Sequence, residues 1–491
     1  MNKILTKVTL AISISLSVFI TGCNDESATN KQTDHQQATE QMVDYFADDA
    51  LGNPLAIVQH PAGIHYKGVT YVSYQGPLED PYVAAYNHET AQWQGPFKAG
   101  ISDMGKDPSR PKIDNHGKPT MLIDDLGYIH IFFGGHGGIK EIHGENPLGN
   151  HHYGRNIHAV SKKPGDITSW QELDTIPVFG TYNQAVKMDN GDIYLFYRHG
   201  AHRSDWVYQK STDNGRTFAA PVSFLKHKRR DDLKAMDSWY ASVSKGHGDD
   251  IIITFDYHLC WDNGAGINGR GHTTERHDAY YMAFDTKNDT WRNVTGETLT
   301  IPVTREVADE KTLVARTGDG NWTFNGSVHL DEEGNPHIAT NIGKDIGLKW
   351  GGPKQTTYYR WTGKEWLGGK PVSTVSRTDN TDSRGDFIVK SPTEVTFALG
   401  YEEKAQSGDG NDAVIAYFKT TDGGENFVKD KELLRRKGAT WALTAIIENA
   451  HPEAQIIVAE KTADTPWSKV YLVGENGPIQ RPAAEANILK K

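Results

Sequence analysis

Short apolar runs broken by polar turns recur seven times between about residue 60 and residue 480. In each copy a Gly, Asn, Asp or Pro-containing turn precedes a strand rich in Val, Ile, Phe and Tyr. The clear copies are Lys67–Ser73, Asp125–Phe132, Asn190–Phe196 and Asp249–Phe255, and the weaker ones are Glu333–Ala339, Pro392–Phe397 and Pro452–Val458. Each phrase reads as the turn and second strand of a hairpin, followed by a third, aromatic-rich strand. A spacing of roughly 50 to 65 residues matches one four-stranded antiparallel blade, which predicts an all-β, seven-bladed β-propeller.

That pattern places the polar residues. In the third and fourth units the first strand opens near Tyr182 and Trp239-Tyr240, and the second closes near Arg198-His199 and His258. Antiparallel neighbours bring the start of one strand and the end of the next to one edge of the sheet. His136, His158, Tyr182, Arg198, Tyr240 and the segment 258–277 should therefore crowd one face. The connections 134–155, 258–278 and 341–355 on that edge are long enough to wall a cleft. Lys140, Arg155, His199 and Arg203 stand among them as candidate substrate-binding groups, beside His143, His151, His152 and His202. Two Asp-box sequences, Ser211–Phe218 and Thr420–Phe427, read as structural turns of a propeller.

Composition adjusts this picture in three places. A chain of 491 residues would otherwise suggest several domains, but a propeller is one closed unit of this size, and 49 Gly with 12 Trp suit turn-rich β structure. The net charge of −11 argues against nucleic acid as a partner, while leaving room for a local cationic cleft. At the N-terminus, Lys3 and Lys7 precede an apolar run from Val8 to Ile20 and then Thr21-Gly22-Cys23. This resembles a bacterial lipoprotein signal: residues 1–22 removed, Cys23 lipidated, 23–45 a disordered tether and 46–485 the catalytic propeller. The expectation is a monomer exported and held to the cell envelope, at the outer membrane, with that lipid as its sole membrane contact. With Cys23 so used, Cys260 has no disulfide partner.

Two constellations carry chemistry. His258 and Cys260 are two apart on an extended segment and share a face. With His272 and His277 they supply one thiolate and three imidazoles, a donor set for a closed tetrahedral zinc site, structural and present once per chain. The second is His136, within Gly134-Gly135-His136-Gly137-Gly138, with His158, Tyr182, Arg198 and Tyr240. The glycines would let a substrate approach the imidazole. An Arg beside His and Tyr suits removal of a proton α to a carboxylate, the first step of β-elimination from a uronic acid. The alternative for Arg198 is a structural pair with a buried carboxylate.

The segments Gly135-His136-Gly137, Asn156–Val160, Thr181–Gln184 and Phe196–Gly200 resemble the seven-bladed propeller ulvan lyases of marine bacteria. The likeness spans about residues 50 to 480. It implies a structural zinc, elimination chemistry shared among a His, a Tyr and an Arg, and cleavage of an acidic sulfated polysaccharide, ulvan, to unsaturated uronyl oligosaccharides. On that basis His136, His158, Tyr182, Arg198 and Tyr240 are the expected catalytic residues. A sialidase-like hydrolase and a non-catalytic glycan-binding propeller are the competing readings. The first would hold its substrate carboxylate with three arginines from different blades, and that triad is not evident.

Overall fold

The computed structural model describes residues 41–490 apart from 56–59, 107–112, 273–274, 319, 348–350, 353, 374–384 and 406–409. The expected signal sequence and Cys23 lie outside the described residues. The described part is all-β and propeller-like. Each of the seven turn-and-strand phrases falls on the second strand of an antiparallel hairpin, from Val69–Gln75 to Ala454–Lys461.

Four sheets are separate four-stranded meanders in chain order: Thr120–Ile123 to Trp170–Leu173, Thr181–Lys187 to Val222–Leu225, Asn321–Leu330 to Trp366–Pro371, and Asp386–Val389 to Val428–Lys437. The other expected units are merged into larger sheets. A seven-stranded sheet is built around Ala235–Lys245, Asp250–Trp261 and Arg276–Asp285. A nine-stranded sheet joins the meander beginning at Gly63–Tyr66 to the C-terminal strands Thr440–His451, Ala454–Lys461 and Trp467–Gly474. Its outer strand is Ala47–Leu51, paired antiparallel with Trp467–Gly474, so the two ends of the chain close one sheet.

The strands are buried on both faces because each sheet packs between neighbours, which explains continuous apolar runs where a one-sided sheet would alternate. Every residue of Ile193–Arg198 is buried. Polar side chains inside this packing substitute for backbone partners. Gln184 Nε2 donates to Ala241 O at 2.9 Å and its Oε1 accepts from Val243 N at 2.7 Å, stitching one sheet to the next. Gln184→Leu keeps the volume but strands a buried N–H and a buried C=O. Urea unfolding should show a loss of about 2–4 kcal/mol.

The segments read as Asp-boxes share one bonding pattern. Gly215 N donates to Ser211 Oγ at 2.9 Å and Thr217 N to Asp213 Oδ1 at 2.9 Å. Gly424 N donates to Thr420 Oγ1 at 3.0 Å and Asn426 N to Asp422 Oδ1 at 3.0 Å.

Three boundaries differ from expectation. Residues 41–45, expected to belong to the tether, are part of the fold, because Met42 and Val43 pair with Pro482 and Arg481. Order also continues past 485, where Asp48 Oδ1 accepts from Ile488 N at 2.7 Å. The strand expected to end at His258 runs on to Trp261, which puts His258 and Cys260 inside the sheet instead of in a loop.

Candidate active site

Tyr182 opens the strand Thr181–Lys187 where its pairing with Ile193–Arg198 shifts register. The residue sits at φ +63°, a conformation that costs a bulky side chain energy and recurs at functional sites. Its ring lies 5.5 Å from that of Tyr240, which projects from Ala235–Lys245 in the adjacent sheet. Arg198, the last residue of its strand, sits between them, its guanidinium 4.9 Å from the Tyr182 ring centre and 5.2 Å from that of Tyr240. Its two terminal nitrogens are buried and complete no hydrogen bond, and among the described residues no carboxylate pairs with it. The Tyr240 ring is covered on another side by Arg276, at 3.4 Å, which also stacks on Phe324 at 4.2 Å.

These cations separate the two phenols. Burial, then the neighbouring Tyr240, pushes Tyr182 well above the usual range. Burial would do the same to Tyr240, but Arg276 and Arg198 outweigh it and hold Tyr240 below its ordinary value. Two titratable groups driven apart in this way are suited to opposite roles in proton transfer.

Histidines form the other wall. His136 Nδ1 donates to Asp114 Oδ2 at 2.8 Å, and His116 Nδ1 donates to Asp114 Oδ1 at 2.6 Å. The Tyr153 hydroxyl donates to the same carboxylate. The His116 and His136 rings stack 3.7 Å apart, and His116 lies 5.3 Å from Tyr182. Burial and the neighbouring imidazoles push His136 down to about 3, so it stays neutral and is a weak base. His116 is the more open of the two, its side chain 26% exposed.

Most of the expected catalytic set is therefore brought together: His136, Tyr182, Arg198 and Tyr240. His158 is not. It is fully buried within Ile157–Ser161, hydrogen-bonded to Thr175 Oγ1 at 2.7 Å and His130 at 2.9 Å, and stacked on Phe132 at 4.4 Å. The glycines around His136 also serve another purpose than substrate approach. A Cβ on Gly135 would come within 2.1 Å of Gly180 O, and one on Gly137 within 2.9 Å of Ala201 N, so they let backbone segments pack.

The expected substrate-binding residues are engaged elsewhere. Lys140 pairs with Glu145 at 2.6 Å, Arg155 with Glu172 at 2.5 Å and Asp103 at 3.0 Å, and Arg203 with Asp262 at 2.8 Å. His199 is buried against Asn146, and burial pushes it down to about 4.

The residues missed at this site are Asp114, His116, Tyr153, Arg276 and Lys354. Arg276 is paired across the ladder with His258 and so shares its face. Lys354 lies 5.1 Å from the Phe324 ring, and burial, then Arg276, pushes it down to about 8. The Asp114-Asn115-His116-Gly117 run before Thr120–Ile123 sits at the rim where Tyr182 enters its own sheet, which is the signal that could have found it.

For the expected metal set, cross-strand register decides. His258 and Cys260 lie two apart on one strand and share a face. His277 pairs with Tyr257, which puts it on the opposite face, where its Nε2 lies 3.4 Å from Glu275 Oε1. His202 takes its place beside the set, its ring 5.9 Å from that of His258 and 5.1 Å from that of His272. Cys260 is fully buried and burial pushes its thiol up, against the pull of Arg203. Among the described residues, donor atoms come within 4.8 Å of one another in two groups, His116–His136–His202 and His88–His451–Glu453. The Cys260 set is not one of them.

Comparison with known proteins gives one consistent answer. Residues 147–371 match the model of a BNR repeat-containing family member. The chain is 60% identical to Ulvan Lyase-PL25 of Pseudoalteromonas sp. (strain PLSV), over 97% of this chain and 94% of that one. It is 58% identical to an ulvan lyase of Alteromonas sp. (strain LOR), over 97% and 96%. A solved PL25 ulvan lyase bound to -[GlcA(1-4)Rha3S]- superposes with a TM-score of 0.86 at 61% identity, covering 91% of this chain and 98% of that one. This chain belongs to the ulvan lyase family.

Proposed function

We propose that the protein cleaves ulvan by β-elimination at the uronic acid. The observation that carries this is Arg198, a buried guanidinium with no carboxylate partner among the described residues, set between two phenols of opposite tuning. A buried unpaired cation is costly and suits an anionic ligand group. Arg198 binds the uronate carboxylate bidentately and makes the C5 proton more acidic. His116, oriented by Asp114, takes that proton through its other ring nitrogen. Tyr182, which burial keeps protonated, gives its proton to O4 as the C4–O4 bond breaks. The electron pair of the C5–H bond becomes the C4–C5 double bond, and O4 leaves with the rhamnose. Arg276 and Lys354 add cationic charge at the same wall, which suits a sulfated polymer on a protein of net charge −11.

Tyr240 is the second reading for the base, favoured by its lowered pKa. The two readings separate on variants. With His116 as base, His116→Ala loses most of its turnover and Tyr240→Phe keeps turnover within a few-fold of wild type. The reverse result assigns the proton to Tyr240. The activity itself is tested by incubating the protein with ulvan and following ultraviolet absorbance. A lyase raises it through the conjugated unsaturated uronate, a hydrolase yields reducing ends without it, and a binding protein yields neither.

The strand pairing supports the reading of seven blades. The nine-stranded sheet divides at a single parallel bridge, Ile64 to Glu448, into two units of four strands, with the short ninth strand Gly477–Pro478 paired beside Trp467–Gly474. The seven-stranded sheet contributes one unit, giving seven with the four separate meanders. The export signal, the lipid on Cys23, the envelope location and the monomeric state remain part of the same proposal, resting on the N-terminal sequence and the closed single-chain sheet.

A structural zinc fits the donor chemistry of Cys260, His258 and His272 with His202 as the fourth ligand in place of His277. Bound there it would pin the segment after Trp261, whose neighbour His202 borders the active site through Tyr240; no proton transfer passes through it. Elemental analysis should find Cys260→Ser holding one zinc per chain fewer than wild type, with a lowered melting temperature. Wild-type protein without zinc would rule the site out.

A further inference from the structure

On the opposite edge of the sheets from the active site, three histidines and a carboxylate meet across the seam that joins the two ends of the fold. His65 closes the strand Gly63–Tyr66 and His88 follows Pro81–Asn87, both in the first meander. His451 and Glu453 form the turn between Thr440–His451 and Ala454–Lys461, in the last. The His88 and His451 rings lie 3.9 Å apart, and His65 lies 5.2 Å from the first and 5.4 Å from the second. The active-site residues sit instead where first strands begin and second strands end, so the two clusters occupy opposite faces.

We propose that His88, His451 and Glu453, with His65 alongside, form a second metal site that takes a first-row transition dication such as Zn²⁺. Two observations support it. Donor spacing is the first. Bonds of about 2.0–2.1 Å in a tetrahedral shell put donors roughly 3.3 Å apart. Glu453 Oε2 lies 3.1 Å from His88 Nδ1 and 3.9 Å from His451 Nδ1, and the three donors fall within 4.8 Å of one another.

Second, His88 is oriented as a ligand. Its other nitrogen, Nε2, is 2.8 Å from the hydroxyl of Thr70, a fully buried residue. Metal-bound imidazoles use such an outer partner to fix tautomer and ring plane. Three imidazoles and one carboxylate are a donor set that suits zinc, nickel or copper.

The consequence is mechanical. A metal here ties residues 65 and 88 to residues 451 and 453, the two ends of the closed sheet, and binds the folded chain alone. The test uses the full folded chain, dialysed against Zn²⁺ and analysed for metal. Wild type should hold one zinc more per chain than His451→Ala, a substitution at a half-exposed side chain that leaves the fold intact. Glu453→Gln should weaken the same uptake. Added Zn²⁺ should raise the melting temperature of wild type by several degrees and leave that of His451→Ala unmoved.

Co²⁺ distinguishes this ion from one at Cys260. The seam site gives visible d–d absorption without a thiolate charge-transfer band, and that absorption should vanish in His451→Ala. Equal zinc content and an equal thermal response in wild type and His451→Ala would overturn the proposal. So would a wild-type protein whose every bound metal is lost in Cys260→Ser.

Discussion

Tyr182→Phe should lower turnover by roughly 10²- to 10⁴-fold while leaving ulvan binding and melting temperature close to wild type. The substitution removes one oxygen and keeps the ring, so the packing on Trp206, 6.4 Å away, and the neighbouring Tyr240 survive. What is lost is the proton given to the leaving oxygen. Burial holds that proton well above the usual range, so the group stays in its donating form through neutral and moderately alkaline pH. An alkaline fall in wild-type activity therefore has another source, and Tyr240, lowered by Arg276 and Arg198, is the phenol that titrates first. A Phe variant that merely needs more substrate at unchanged turnover would make Tyr182 a binding group and move the acid elsewhere.

How far the chain discloses this site depends on what fixes each residue's position. Hairpin pattern alone puts Tyr182, Arg198 and Tyr240 on one rim, because strand starts and ends follow from period and turn chemistry. His136 follows from its place after an apolar strand. Long-range register is not legible in this way. Whether His277 or His202 faces His258 depends on a one-residue phase between paired strands, and Tyr257 opposite His277 settles it. His158 misleads for a related reason: a His in an apolar strand can point into the sheet packing as readily as to the rim, and here Thr175 and His130 satisfy it.

Asp114 and His116 escape notice because their place before the strand Thr120–Ile123 is the one local mark they carry. Their role arises from contact with His136 and Tyr182, on segments distant in sequence. The sheet count is similarly hidden. The repeat announces seven hairpins, but which neighbours fuse into one hydrogen-bonded sheet is set by single bridges such as Ile64 to Glu448.

Arg198→Met should abolish measurable elimination, a loss of roughly 10³-fold or more, while the protein becomes no less stable and gains about 1 kcal/mol if the apolar chain packs well. The two effects diverge because of how Arg198 is held. A guanidinium in a structural ion pair leaves a buried carboxylate stranded when removed, which costs stability. Here the described surroundings are the faces of Tyr182 and Tyr240 and the Gly200 carbonyl, which accepts one long bond of 3.5 Å from Nε, while both terminal nitrogens are buried without a hydrogen bond. Removing the cation therefore relieves a desolvation cost that substrate binding would otherwise offset. Arg198→Lys sharpens the test: it keeps the charge but loses the planar fork, so most activity should still disappear. Thermal unfolding beside the ultraviolet assay reads both quantities. A Met variant that melts well below wild type would return Arg198 to a structural role, and a Lys variant with near-normal turnover would remove bidentate carboxylate binding from the mechanism.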